Sequence, residues 1–135
     1  MVCQLITNIK PLKNLNVSEY KDLSYMFNSC NISDIKSLEN WNVLNCTNFA
    51  GIFTYNLISD IKALEKWDLS NETNLKYLFS GCKNLSDITP IKNWNISNLK
   101  NLKNKFFNYK NLSDKSSIKN WNISNIKNLK NKFFS

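Results

Sequence analysis

The sequence predicts an α/β solenoid of four to five coils, each 26–27 residues long, with one short helix and one short extended segment per coil. Three periodic markers predict it. Tryptophans fall at Trp41, Trp67, Trp94 and Trp121, spaced 26, 27 and 27, and Leu15 holds the same slot one unit earlier. A phenylalanine follows each of these residues by twelve positions, at Phe27, Phe53, Phe79, Phe106 and Phe133. A Ser-Asp pair recurs at Ser33-Asp34, Ser59-Asp60, Ser86-Asp87 and Ser113-Asp114. Markers of different chemistry that keep one period identify tandem repeats, and stacked neighbours supply the core that no single unit buries alone.

The half of each unit after the tryptophan carries a helical stripe. Leu23, Met26 and Phe27 sit at i, i+3 and i+4, as do Phe49, Ile52 and Phe53, and Leu75, Leu78 and Phe79. Ser18, Asn45, Ser70, Ser97 and Ser124 stand where an N-cap is expected. These patterns predict helices near 18–28, 45–54, 71–80, 98–108 and 125–134. The other half, as in Ile32 to Ile35 or Leu85 to Ile88, alternates too briefly for an isolated strand. Repeated coil on coil, it is expected to pair as one rung of a parallel ladder. The whole chain, 1–135, then forms a single repeat domain. A cap over 1–11 leads into coils at about 12–37, 38–63, 64–90 and 91–117, with a partial coil at 118–135. Residues 91–108 and 118–135 are near copies, as a duplicated unit would be.

The stretch from Trp67 to Cys82 resembles the repeat of BspA-type bacterial surface proteins, which also occurs in mycoplasma lipoproteins. That repeat runs close to L-x-x-W-D-T-S-N-V-T-D-M-x-x-M-F-x-G-C. Leu64, Trp67, Asp68, Ser70, Asn71, Thr73, Asn74, Leu75, Leu78, Phe79, Gly81 and Cys82 match it, and the resemblance extends from about residue 12 to the end. It implies a leucine-rich-repeat-like solenoid acting in adhesion or protein binding. Two departures stand out: no export signal is visible, and lysines replace apolar and acidic positions in the last two units.

The repeated polar and aromatic residues read first as structure. A tryptophan per coil suggests either a stacking platform for ligands or a core ladder, and Leu15 in the same slot favours the core, since leucine cannot stack a ring. Asn16, Asn42, Asp68, Asn95 and Asn122 follow these anchors and are expected to hydrogen-bond the backbone of the next coil. Asp34, Asp60, Asp87 and Asp114 recur once per coil, as structural positions do. Cys3, Cys30, Cys46 and Cys82 contain no C-x-x-C pair. Cys30 and Cys82 share a column two coils apart, beyond disulfide reach, so buried thiols are expected.

The chain has no histidine, no phosphate-binding glycine loop and no metal or nucleophile motif, which argues against an enzyme, a cofactor or a metal site. The remaining candidate is charge. The net charge of +8 lies in the last third, where residues 92–135 hold ten lysines against Asp114. Lys100, Lys103 and Lys105 recur as Lys127, Lys130 and Lys132, so stacking sets like charges side by side. Such a face suits nucleic acid or an anionic membrane surface. The absence of arginine and a Lys- and Asn-rich composition argue for compositional bias instead. Another protein is the leading partner on this reading, and the polyanion is the alternative. The N-terminus shows no signal peptide and no apolar run approaches a membrane span of about 20 residues. This predicts a soluble, cytoplasmic chain, or a cell-surface one if it belongs to a longer exported protein. No polar cap follows Phe133-Phe134-Ser135, which implies self-association through the last coil or a chain that continues.

Overall fold

The computed structural model describes residues 7–71 and 74–96. Four short 3₁₀ helices, Lys10–Asn14, Lys36–Leu38, Lys62–Leu64 and Thr89–Ile91, begin successive coils at intervals of 26, 26 and 27 residues. Each 3₁₀ helix starts beside an Asx turn. The Oδ1 atoms of Asn8, Asp34, Asp60 and Asp87 accept the backbone N–H groups of Lys10, Lys36, Lys62 and Thr89 at 2.9–3.0 Å. The recurring Ser-Asp pair therefore marks where each coil turns into its 3₁₀ helix.

The helices expected at 18–28, 45–54 and 71–80 are not helices. In their place lies a run of overlapping turns. Met26 donates to Leu23, Asn28 to Tyr25, Ile52 to Phe49 and Thr54 to Gly51, all i→i−3 contacts within a coil. The alternate amides leave the coil altogether. Leu23, Tyr25, Phe27 and Ser29 donate to the carbonyls of Asn48, Ala50, Ile52 and Thr54 at 2.8–3.1 Å. Phe49, Gly51, Phe53 and Tyr55 in turn donate to Asn74, Lys76, Leu78 and Ser80 at 2.8–3.2 Å. An α-helix needs every amide for its own i→i−4 ladder, so this sharing excludes one. Left-handed backbone makes the turns: φ is +57° at Tyr25, +61° at Gly51 and +62° at Tyr77, and +57° at Ser29, +57° at Tyr55 and +75° at Gly81. No helix carries such residues in its interior.

The parallel rung is displaced too. Isolated parallel bridges join Asp22, Asn48 and Asn74, and the described residues contain no longer strand. At the expected rung, Leu57 donates to Ile32 at 2.9 Å, a single backbone contact between coils. The fold is thus a solenoid of stacked coils, each with a 3₁₀ edge and a turn ladder, rather than an α/β solenoid with one helix and one strand segment per coil. The helices expected at 98–108 and 125–134, and the first part of the cap at 1–11, lie outside the described residues.

Columns of identical side chains fill the interior. Phe27, Phe53 and Phe79 stack with centroids 6.1 and 5.7 Å apart and planes within 11° of parallel. Trp41 and Trp67 stack at 6.4 Å and 2°. Ile35, Ile61 and Ile88, and Leu38, Leu64 and Ile91, form further buried columns. Ile9 packs into the same core from the N-terminal stretch. Trp121 lies outside the described residues, and Trp41, Trp67 and Trp94 are core residues, as expected. Leu15 is not: it is 40% exposed, although it shares their register. Each described indole has a polar tether, since Trp41, Trp67 and Trp94 donate from Nε1 to the carbonyls of Leu12, Leu38 and Leu64 at 2.9–3.0 Å. Burial of an indole with its N–H paired retains the full apolar gain.

Candidate binding surface

The per-coil polar residues are consumed by the backbone. Asn16, Asn42 and Asp68 accept the N–H of Ser18, Leu44 and Ser70 in their own coils, at 3.0, 3.2 and 3.0 Å, instead of reaching the next coil. Proximity decides this, because an Asx turn closes over two residues. Among the side chains that bridge coils are two expected as N-caps or cap neighbours: Asn45 and Asn71 donate from Nδ2 to the carbonyls of Ser18 and Leu44 at 3.0 Å. Ser18 and Ser70 cap no helix. Asp22 and Asp68 are held below the ordinary carboxylate range, mainly by the hydroxyls of Ser24 and Ser70 and then by their N–H groups.

The cysteine column explains a buried asparagine. Cys30 and Cys82 line up with Asn56, which is only 2% exposed. Asn56 accepts the Ile32 N–H at 2.9 Å and donates to the carbonyls of Phe27 and Phe53 at 2.7 and 3.0 Å. It staples the first coil to the second with its polar atoms satisfied. Cys30, Cys46 and Cys82 are buried and not disulfide-bonded, in line with the sequence. Burial pushes the Cys82 thiol up to about 11, so it stays protonated and unreactive near neutrality.

Two exposed surfaces stand out among the described residues. Along the 3₁₀ edge, a shallow open depression of about 830 Å³ is lined by Ser33, Asp34, Lys36, Glu39, Asp60, Lys62 and Lys66, among others. A second, of about 370 Å³, continues it through Asp60 and Lys62 to Asp87 and Thr89. Charges of both signs alternate across it, and the Lys62–Glu65 pair at 3.8 Å is solvent-exposed, which contributes little to stability. The second surface is the outer side of the turn ladder. There the rings of Tyr25 and Tyr55 cover Gly51 and Gly81 of the following coils. A Cβ on Gly51 would lie 2.3 Å from Cε1 of Tyr25, and one on Gly81 would lie 2.3 Å from Cδ1 of Tyr55. Sequence reasoning missed these tyrosines. Their signal was present in the alternation Tyr25, Gly51, Tyr77 and Ser29, Tyr55, Gly81 at the repeat period.

Lys100, Lys103, Lys105, Lys127, Lys130 and Lys132 lie outside the described residues. Among the described residues no three His, Cys, Asp or Glu side chains are grouped to hold a metal ion. No helix there is long and apolar enough to cross a membrane.

Comparison with known proteins gives one family. The family described as "Mycoplasma protein of unknown function, DUF285" matches residues 4–86 and again residues 54–135. No curated protein matches. Among solved structures, the chain is similar to an internalin C2 from Listeria monocytogenes str. 4b F2365, at 20% identity and a TM-score of 0.42. That alignment covers 86% of this chain and 54% of the internalin chain, so this chain spans about half the length of the protein it matches.

Proposed function

From the premise that the chain belongs to the DUF285 family, we propose that it is a non-enzymatic scaffold that binds another protein through side chains displayed in register on successive coils. The observation that carries this reading is the use made of the repeated polar residues. Asp34, Asp60 and Asp87 close Asx turns, Asn45 and Asn71 bridge coils, and Asn56 is buried between coils. These repeated polar groups are occupied in holding the backbone, while the outer positions vary from coil to coil. A constant frame with variable outer positions is the arrangement by which solenoids build extended recognition surfaces. Adhesion is the narrower form of the reading, supported by the resemblance of the Trp67–Cys82 motif to BspA-type surface repeats.

The test compares protein binding by the native chain and by a variant with Lys100, Lys103, Lys105, Lys127, Lys130 and Lys132 all changed to Gln, at low and high salt. Binding that survives both salt and the six changes is expected. Binding that falls steeply with salt and disappears in the variant would replace the scaffold reading with electrostatic capture of a polyanion.

A further inference from the structure

We propose that the open edge of the first coil's turn ladder, at the carbonyls of Asp22, Ser24 and Met26, takes residues 127–135 of a second copy of this chain, so that copies add head to tail along the stacking axis. This goes beyond the protein-binding reading above and concerns the end of the stack rather than its sides.

The first observation is a repeated interface with one half unfilled. The carbonyls of Asn48, Ala50, Ile52 and Thr54 accept from the first coil, and those of Asn74, Lys76, Leu78 and Ser80 accept from the second. The same positions in the first coil are Asp22, Ser24, Met26 and Asn28. Among the described residues nothing donates to the first three carbonyls, and Asn28 takes the Cys30 thiol of its own coil at 3.5 Å. Asp22 is exposed, and Ser24 and Met26 are half-buried. A row of unmade acceptors at ladder spacing is a template for another chain.

The second observation selects the occupant. The edge offers oxygen only, because the alternate amides close turns inside the coil. Ser24 donates to Asp22 Oδ1, Met26 to Leu23 and Asn28 to Tyr25, at 2.8, 3.3 and 3.1 Å. An ordinary strand turns both amides and carbonyls toward its neighbour, so it would set its own oxygens against those of the edge. A coil of this repeat turns amides alone, as Leu23, Tyr25, Phe27 and Ser29 do toward the second coil. The complement of the edge is therefore another coil of the same kind, which a second copy supplies.

The third observation selects the segment. The amides of the first and second coils at these positions are consumed by the coils that follow them. Residues 127–135, KNLKNKFFS, repeat the pattern of residues 21–29, KDLSYMFNS, with Leu129 and Phe133 in the register of Leu23 and Phe27. The donor positions there are Leu129, Asn131, Phe133 and Ser135. The segment holds three lysines and no acid, which complements a row of oxygens with Glu19 and Asp22 beside Lys21.

The experiment is sedimentation of the full chain over about a hundredfold range of concentration. The mass is expected to keep rising, because a head-to-tail contact does not close on itself. Ser24→Lys sets a lysine against Lys130 of the second copy; Lys76 already occupies that column in the third coil. Association is expected to weaken about tenfold. The double variant Ser24→Lys, Lys130→Asp is expected to associate again, which separates repulsion at the edge from damage to the fold. A native chain that stays monomeric overturns the proposal, as does a mass that stops at a dimer. Unchanged association in Ser24→Lys overturns it too, as does rescue by Lys103→Asp in place of Lys130→Asp, or by neither. If the chain stays monomeric yet captures other proteins, only this proposal falls and the scaffold reading stands.

Discussion

The indole N–H of Trp67 donates to the main-chain carbonyl of Leu38, 2.9 Å away and 29 residues back in the chain. The same side chain stacks on Trp41 and packs against Phe49 and Phe53. One residue thus joins two coils by both apolar and polar contact. Trp67→Phe keeps a ring in the column and removes one of two donors to the Leu38 carbonyl, which still accepts from the Trp41 N–H at 3.1 Å. The expected loss is about 0.5–1.5 kcal/mol for one hydrogen bond, with a further loss from the smaller ring. Urea denaturation of the native chain and the variant measures it; a loss near zero would mean that water reaches the carbonyl.

Asn56→Cys places in the second coil the residue found at Cys30 and Cys82. Shape is conserved down the column, so the cavity is small. The Ile32 N–H loses its acceptor, whereas the Phe53 carbonyl still accepts from Cys82 Sγ at 3.1 Å and a thiol at position 56 can serve the Phe27 carbonyl in the same way. Destabilisation of roughly 1–3 kcal/mol is expected, from the one unpaired backbone N–H. Amide hydrogen exchange should locate the loss at Ile32, with faster exchange there than at Phe53.

Gly51→Ala meets two obstacles, a φ of +61° and the Tyr25 ring 2.3 Å from the new Cβ. A loss of about 1–3 kcal/mol is expected. In a Tyr25→Gly background the steric share disappears and only the backbone share remains. The double-mutant cycle should therefore show a coupling of at least about 0.5 kcal/mol. Additive losses would mean that the ring swings aside freely.

Acid stability tests the Asx turns. Asp22 and Asp68 have folded-state pKa values below their unfolded ones, with the Ser24 and Ser70 hydroxyls as the largest cause. A depressed carboxylate stabilises above its unfolded pKa, about 3.9, and that contribution is lost as pH falls through the folded value. Asp68→Asn, which installs the residue of Asn42 and Asn95, should lower neutral stability by the contribution of the charged carboxylate and flatten the decline below about pH 4, so that the two chains converge in acid. An identical acid limb in the variant would show that the Ser70 contact does not discriminate the charged form.

The repeat and its buried columns were legible in the sequence because stacking forces the same chemistry into the same slot, as with Phe27, Phe53 and Phe79. The local conformation was not. Leu23, Met26 and Phe27 follow helical spacing, but a chain of overlapping turns also brings residues four apart to one side. Met26 is only partly buried where a helix would bury it fully. The contrary signal was Gly51, a glycine inside the presumed helix in register with Tyr25 and Tyr77. Leu15 was misplaced for a related reason: register with Trp41 fixes its slot but does not bury it. The exposed tyrosine side was least legible, since exposure of Tyr25 and Tyr55 depends on which side of the turn ladder faces out.

The turn ladder also has an electrical consequence. The amide joining Asn48 to Phe49 accepts from Leu23 and donates to Asn74, and the amides ending at Gly51, Phe53 and Tyr55 repeat the arrangement. In an ordinary sheet neighbouring amides alternate and their dipoles largely cancel. Here four columns of peptide dipoles, each amide about 3.5 D, point the same way along the stacking axis. The solenoid thereby acquires a macrodipole across its coils, with the positive pole toward the later ones, and each inserted coil lengthens it.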